Sequence, residues 1–250
     1  MKDQARVVII GGGITGCSIA YHLTQMGWKD VAIVDKGELT SGATFHAAGL
    51  VGQLRASVNI TKMLKYSIEL YSRLEKETGQ HTAWSEVGGL RIASSKDRME
   101  ELRRSAAMAK TFGLPMELIS SKEACDLFPV MEKKGIVGAA FLPTDGQIDP
   151  SGVTYALAKG ARDRGAEIYT DTRVTGITLK NGVVHEVITD KGKIKTEIVV
   201  NAAGMWAPRL SAMVGVSLPT TPVDHQHITL KAVAGHEFPK NTPCTSCRTL

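Results

Sequence analysis

The chain has 250 residues, 43% of them hydrophobic, enough to bury a sizeable core as one large domain or two interleaved ones. Its 30 basic and 25 acidic residues leave a net charge of +5, and the lysines and arginines are dispersed, which argues against a nucleic-acid surface. No run of about twenty apolar residues is present to span a membrane, and four scattered cysteines (Cys17, Cys125, Cys244, Cys247) make no disulfide framework, so the reading is a cytoplasmic protein in a reducing compartment.

The N-terminal "MKDQARVVIIGGG" has too short an apolar run for a signal peptide and flows straight into a glycine turn. "ARVVII" predicts a buried strand, "GGGITG" a turn, "CSIAYHLTQMG" a helix closed by Gly27, and "VAIVD" a second strand. Such a strand–turn–helix–strand unit implies a parallel sheet. Residues 60–76 place Ile60, Leu64, Ile68, Tyr71 and Leu74 on one helical face. "GGLRIAS" predicts a strand, and "SSKDRMEELRRSAAMAKTFG" a helix with a serine cap and a glycine stop. Ser120 and Glu123 have capping-box spacing before a helix that ends at Pro129. "GIVGAAFLPTDGQID" reads as strand and loop.

A second α/β stretch follows, with the helix "DPSGVTYALAKGARDRG", the strand "AEIYT" and a β-meander from 173 to 200. Asn181-Gly182 marks a hairpin in that meander, because both residues tolerate positive φ. "EIVVNAAG" runs a further strand into another glycine turn. Nucleotide-domain signals at both ends of 1–215, with an unlike segment between, predict a discontinuous domain of 1–84 and 150–216. The remaining stretches, 85–149 and 217–250, would make up a second, interleaved domain.

Gly11, Gly13 and Gly16 form G-x-G-x-x-G. The string follows a strand, opens a helix and is answered by Asp35 at the end of the next strand, the context that dinucleotide binding requires. The glycines allow a tight turn, close approach of backbone to a pyrophosphate, and packing of helix on strand. The pyrophosphate then faces a helix N-terminus, and Asp35 accepts from a ribose hydroxyl. This fingerprint alone leaves NAD and FAD both open.

The stretch "VVIIGGGITGCSIAYHLTQMGWKDVAIVDKGELTSGATFHAAGL" resembles the D-amino-acid-oxidase-type FAD-dependent oxidoreductases, and looks most like the dimethylglycine/sarcosine dehydrogenase group. "DGQIDP" at 145–150, "VNAAGMWA" at 200–207 and "PVDHQH" at 222–227 extend the resemblance in the same order. Asp35 stands where Glu is commoner, and Ala43 and Phe45 where Ser and Trp are frequent. The resemblance implies an α/β fold: a Rossmann-like FAD-binding domain with parallel sheet and β-meander, plus the mixed-sheet substrate domain. It implies FAD contacts at Gly11, Gly13, Ile14, Thr15, Gly16, Asp35, Lys36, Ser41, Thr44, His46, Ala47, Gly49 and Leu50. Further contacts fall at Val174, Ala203, Gly204 and Trp206.

By the same resemblance, His46 carries the flavin covalently through its 8α-methyl carbon. Eleven residues from Asp35 to His46 reach up to about 35 Å, enough to pass from the ribose to the flavin ring. Capping a helix that starts near Ala47 is the other use open to His46. The resemblance places a catalytic histidine at His225, a base for the substrate ammonium; a strand histidine bonded to its neighbours is the alternative. His227 is read as structural. A zinc site from Cys244, Cys247, His225 and His227 rests on one C-x-x-C and is set aside, so no metal is expected.

The implied reaction is hydride transfer from a small N-methylated amino acid to flavin, giving demethylated amine and formaldehyde. Dioxygen or an electron-transfer flavoprotein would reoxidise the flavin, and folate would bind only to a further C-terminal half. A non-covalent amino-acid or glycerol-phosphate oxidase and a non-catalytic FAD-binding subunit remain alternatives. The tail "HEFPKNTPCTSCRTL" loses the resemblance and shows no strand-like alternation, so the chain is read as an N-terminal fragment with an incomplete substrate domain.

Overall fold

The computed structural model describes residues 1–224, 226, 228 and 241–247. The chain divides into two compact units. One comprises Met1–Ala48, Arg73–Thr82 and the described part of Asp149–His227; the other comprises Gly49–Ser72, Ala83–Ile148 and the described part of Ile228–Leu250.

The first unit is built on four parallel strands in the order Ile198–Asn201, Val7–Ile10, Val31–Val34, Glu167–Tyr169. Val7–Ile10 and Val31–Val34 are buried at every position, as expected of parallel strands covered on both faces. Alternate residues divide the faces. Val8, Ile10, Ala32 and Val34 meet Val174, Val187 and Ile194 of a three-stranded antiparallel meander (Val174–Lys180, Val183–Thr189, Gly192–Lys195). Ile9 points the other way, toward Gly16 of the helix Ile14–Gln25.

That helix packs on Pro150–Asp163, and the approach is so close that a Cβ at Gly160 would lie 2.8 Å from the Tyr21 ring. Tyr21 is fully buried, and its hydroxyl donates to Glu77 at 2.5 Å, which ties the last turns of helix Val58–Thr78 into this unit. Asn181 and Gly182 take φ of 53° and 77°, so the hairpin forms where those residues predict it.

The second unit holds a mixed sheet in the order Cys244–Cys247, Gly89–Ala93, Gly138–Leu142, Glu117–Ile119. Helix Lys96–Thr111 covers one face with Leu102, Ala106 and Ala109 against Ala93, Ala140 and Leu142. Ala124 of helix Ser121–Leu127 packs on the other face with Leu90, Ile92 and Ala139. Ser95 caps the first helix, accepting from the Arg98 N–H, and the expected capping box is closed in both directions between Ser120 and Glu123. Among the described residues, no helix is long and apolar enough to cross a membrane.

Three expectations change. Residues 49–72 fall in the second unit rather than the first, because Leu50–Val51 pairs with Gly146–Gln147 and Leu54 enters the core beneath helix Lys96–Thr111. The tail does form a strand: Cys244–Cys247 pairs in parallel with Gly89–Ile92, an edge whose backbone supplies the register that side-chain alternation lacks. On helix Val58–Thr78, Ile60 is exposed while Leu70 and Leu74 are buried, so the apolar face is narrower than the 60–76 pattern suggests.

Candidate functional site

The site grows from the turn between the first strand and the first helix. Gly11 takes φ +120°, and a Cβ there would lie 2.3 Å from the carbonyl oxygen of Ala202. At Gly16 a Cβ would lie 1.9 Å from the carbonyl oxygen of Gly11. Only hydrogen fits at either position. The helix therefore starts hard against the strand end, and Gly13 brings no side-chain cap to its first-turn N–H groups.

Asp35 fastens this turn. Its Oδ2 accepts from the Gly12 N–H at 2.6 Å and its Oδ1 from the Gly37 N–H at 2.9 Å. Each oxygen keeps a further lone pair for another donor. The loop after Asp35 folds back onto the same turn: the Thr40 N–H donates to the Gly12 carbonyl at 3.2 Å, and the Thr44 hydroxyl accepts from the Ile14 N–H at 3.0 Å. Beneath them, burial and then the Asp35 carboxylate push the Cys17 thiol up to about 12, so it remains a protonated packing group.

These segments enclose a cavity of about 660 Å³ within the first unit, inside the roughly 300–1,000 Å³ range of small-molecule sites. Gly11, Gly13, Ile14, Thr15, Asp35, Lys36, Ser41, Thr44 and Ala47 line it from the N-terminal stretch, and Val174, Ala203, Gly204 and Trp206 from the second. Residues some 130 positions or more apart in the sequence are thus brought to one wall, as the parallel pairing of Val7–Ile10 with Ile198–Asn201 requires. Lys36 stacks its ammonium 3.3 Å from the centre of the Trp206 ring, a cation–π contact.

Arg173, Arg209, Met205, Leu210 and Met213 also line the cavity and were not anticipated. A signal was present: Trp206, Arg209, Leu210 and Met213 recur at helical spacing. Pro208 obscured it, yet proline sits comfortably in the first turn of helix Ala207–Ala212. Lys36, Arg173 and Arg209 set three cations against the one carboxylate of Asp35, a balance suited to an anion.

The other expected residues lie elsewhere. Gly16 packs under the turn. His46 is exposed in the turn 39–46, with its ring edge-on to Phe45 at 5.3 Å between centroids. No helix begins at Ala47; the chain runs irregularly into strand Leu50–Val51, which removes helix capping as a use for His46. Gly49 and Leu50 belong to the second unit. His225 and His227 lie outside the described residues. Among the described residues, no three His, Cys, Asp or Glu side chains gather to hold a metal ion.

Residues 6–248 match the family model described as DAO, FAD dependent oxidoreductase. The chain is 38% identical over 241 residues to mitochondrial sarcosine dehydrogenase of Mus musculus, covering 94% of this chain and 26% of that protein. It is 37% identical over 232 residues to mitochondrial dimethylglycine dehydrogenase of Rattus norvegicus, covering 93% of this chain and 27% of that protein. It spans about a quarter of the length of these two relatives. Among solved structures, L-proline dehydrogenase from P. horikoshii aligns with a TM-score of 0.82 at 32% identity, over 86% of this chain and 57% of that one.

Proposed function

This chain belongs to the DAO family of FAD-dependent oxidoreductases, and from that premise we propose that its first unit holds FAD and that the protein oxidises a C–N bond of a small N-methylated amino acid. The observation that carries the reading is the Cβ-free turn opening into a cavity walled by Lys36, Arg173 and Arg209. A diphosphate fits there: backbone at Gly11 and Gly13 can approach it, the helix start offers the Thr15 N–H, and the cations offset its charge. Asp35 would accept from the ribose with its remaining lone pairs. Val174 would meet the adenine edge, while Ala203 and Gly204 pack beneath the adenosine and Ser41, Thr44 and Ala47 line the path toward His46.

When bound, FAD supplies the hydride acceptor. His46 would be the attachment point, a ring nitrogen giving up its proton as it bonds the 8α-methyl carbon, with dioxygen as the two-electron oxidant that would take up the displaced hydrogens as hydrogen peroxide. His225 would accept the proton of the substrate ammonium, freeing the lone pair that expels hydride from the N-methyl carbon. Water then hydrolyses the substrate iminium to demethylated amine and formaldehyde. Dioxygen or an electron-transfer flavoprotein would reoxidise the flavin. The second unit is read as the substrate domain, and folate would bind only to a further C-terminal half.

The test is anaerobic mixing of the whole holoprotein with sarcosine or dimethylglycine. We expect the flavin's visible absorbance to bleach and formaldehyde to appear after hydrolysis. Stoichiometric FAD that no amine reduces would replace this reading with a non-catalytic FAD-binding subunit. Flavin fully released by acid from an active protein would point to the non-covalent oxidases instead.

A further inference from the structure

Thr44 sits two residues before His46, is only 9% exposed, and accepts from the Ile14 N–H through its hydroxyl at 3.0 Å. Ile14 is the first residue of the helix, so this N–H is one of the donors that a helix start normally presents to a ligand. The same oxygen would lie 3.1 Å from a Cβ on Gly13, which puts it over the mouth of the turn. Among the described residues nothing accepts the hydroxyl's own proton. A hydroxyl that accepts on one side can donate on the other, so Thr44 extends the Ile14 N–H by one hydrogen bond into the cavity it lines.

The segment around Thr44 is a closed turn. Phe45 N–H donates to the Thr40 carbonyl at 3.1 Å, His46 N–H to Ala43 at 3.2 Å, and Ala47 N–H to Thr44 at 3.1 Å. Thr40 is itself bound to Gly12, and its hydroxyl meets that of Ser151 at 3.3 Å. These bonds close residues 40–47 into one turn, which Thr40 fastens to Gly12 and Thr44 seats on the helix start.

We infer that Thr44 is a positioning residue that couples the two ends of the cofactor site. An anion at the turn orders the hydroxyl, the hydroxyl holds the loop, and the loop holds His46 against the flavin. This rests on the reading that His46 carries the flavin and assigns its alignment to a side chain that never touches the bond formed.

Thr44→Val keeps the shape and removes the hydroxyl; Thr44→Ser keeps the hydroxyl. In the whole apoprotein mixed with saturating FAD, tether formation is followed by fluorescence retained on denaturing gels. We expect Thr44→Val to slow the first-order tethering rate about ten-fold, the weight of one hydrogen bond to a charged group, and Thr44→Ser to restore most of it. Tethering by Thr44→Val at the wild-type rate would overturn the inference. A wild type that never retains fluorescence would instead overturn the role of His46. Should Thr44→Val fail to fold, amide exchange at Ile14 in His46→Ala decides: FAD binding should slow it at least about ten-fold, and an unchanged rate would overturn the coupling.

Discussion

Strands Val7–Ile10 and Val31–Val34 of the first unit are buried throughout and end against a turn where even a methyl group collides with backbone. Strand Glu117–Ile119 of the second unit leaves Glu117 and Leu118 exposed, and its neighbours meet mostly small or flexible side chains. The first region fixes its geometry with main-chain atoms, which glycine, sheet register and a single carboxylate hold in place. The mixed sheet of the second is held largely by side chains contributed from distant segments, although at Gly146, where a Cβ would lie 2.5 Å from the Ser85 carbonyl oxygen, backbone crowds it too. A cofactor that needs close backbone approach suits the first kind of surface.

The largest contrast should come from adding one methyl group to each. Gly16→Ala has no room, with backbone 1.9 Å away. It should cost about 3 kcal/mol or more and abolish FAD binding, as read by denaturant unfolding and calorimetry. Gly138→Ala in the second sheet meets the flexible Met99 sulfur at 3.1 Å and the Ile119 carbonyl oxygen at 3.2 Å. It should cost less than about 1.5 kcal/mol and leave FAD affinity unchanged. Equal costs would erase the distinction between the regions. Next in size is Asp35→Ala, which removes both backbone clasps and the proposed ribose acceptor. FAD affinity should fall by about 1.5–3 kcal/mol, and unchanged affinity would exclude Asp35 as a ribose ligand.

A smaller effect separates the units by pH. Asp145 is 4% exposed and accepts from the Gln53 N–H at 2.9 Å. Burial raises its carboxyl above the ordinary range, against the pull of the Gln53 hydrogen bonds and of Arg91 and Arg55. A raised carboxyl stabilises the fold below its unfolded value of about 4 and loses that contribution as pH rises through its folded value. The melting temperature of Asp145→Asn, relative to wild type, should therefore climb a few degrees from about pH 4 toward neutrality. A flat difference would mean that the two arginines offset burial in full. Smallest is Arg209→Ala, expected to weaken FAD binding by about 0.5 kcal/mol at low ionic strength, with the difference shrinking in salt. Salt-independent loss would assign Arg209 a packing role instead.

The same contrast explains what could be read from the residues alone. Glycines with forced φ, a capping box and Asn181-Gly182 act within a few residues, so the turn, the helix starts and the hairpin were readable. Strand Cys244–Cys247 takes its register from a partner about 155 residues earlier, and no local pattern in "CTSC" encodes that. Leu50–Val51 and Glu117–Ile119 are two and three residues long, too short for periodicity to register. At the site, Asp35 was foreseen as a ribose ligand but not as the clasp on Gly12 and Gly37, since backbone donors leave no trace in side-chain spacing. Arg173 and Arg209 were missed because one follows a loop and the other sits in a helix behind a proline.

The cation stacked on Trp206 has an optical consequence. The chain has three tryptophans; Trp28 lies under Arg6 and Trp84 beside Tyr71, and Trp206 alone among them lines the cavity. Indole emission overlaps flavin absorption, so energy transfer from Trp206 to a flavin beside it would dim the protein's ultraviolet glow. With Trp28 and Trp84 replaced by Phe, the chain would signal through one lamp set in the wall of its own cavity.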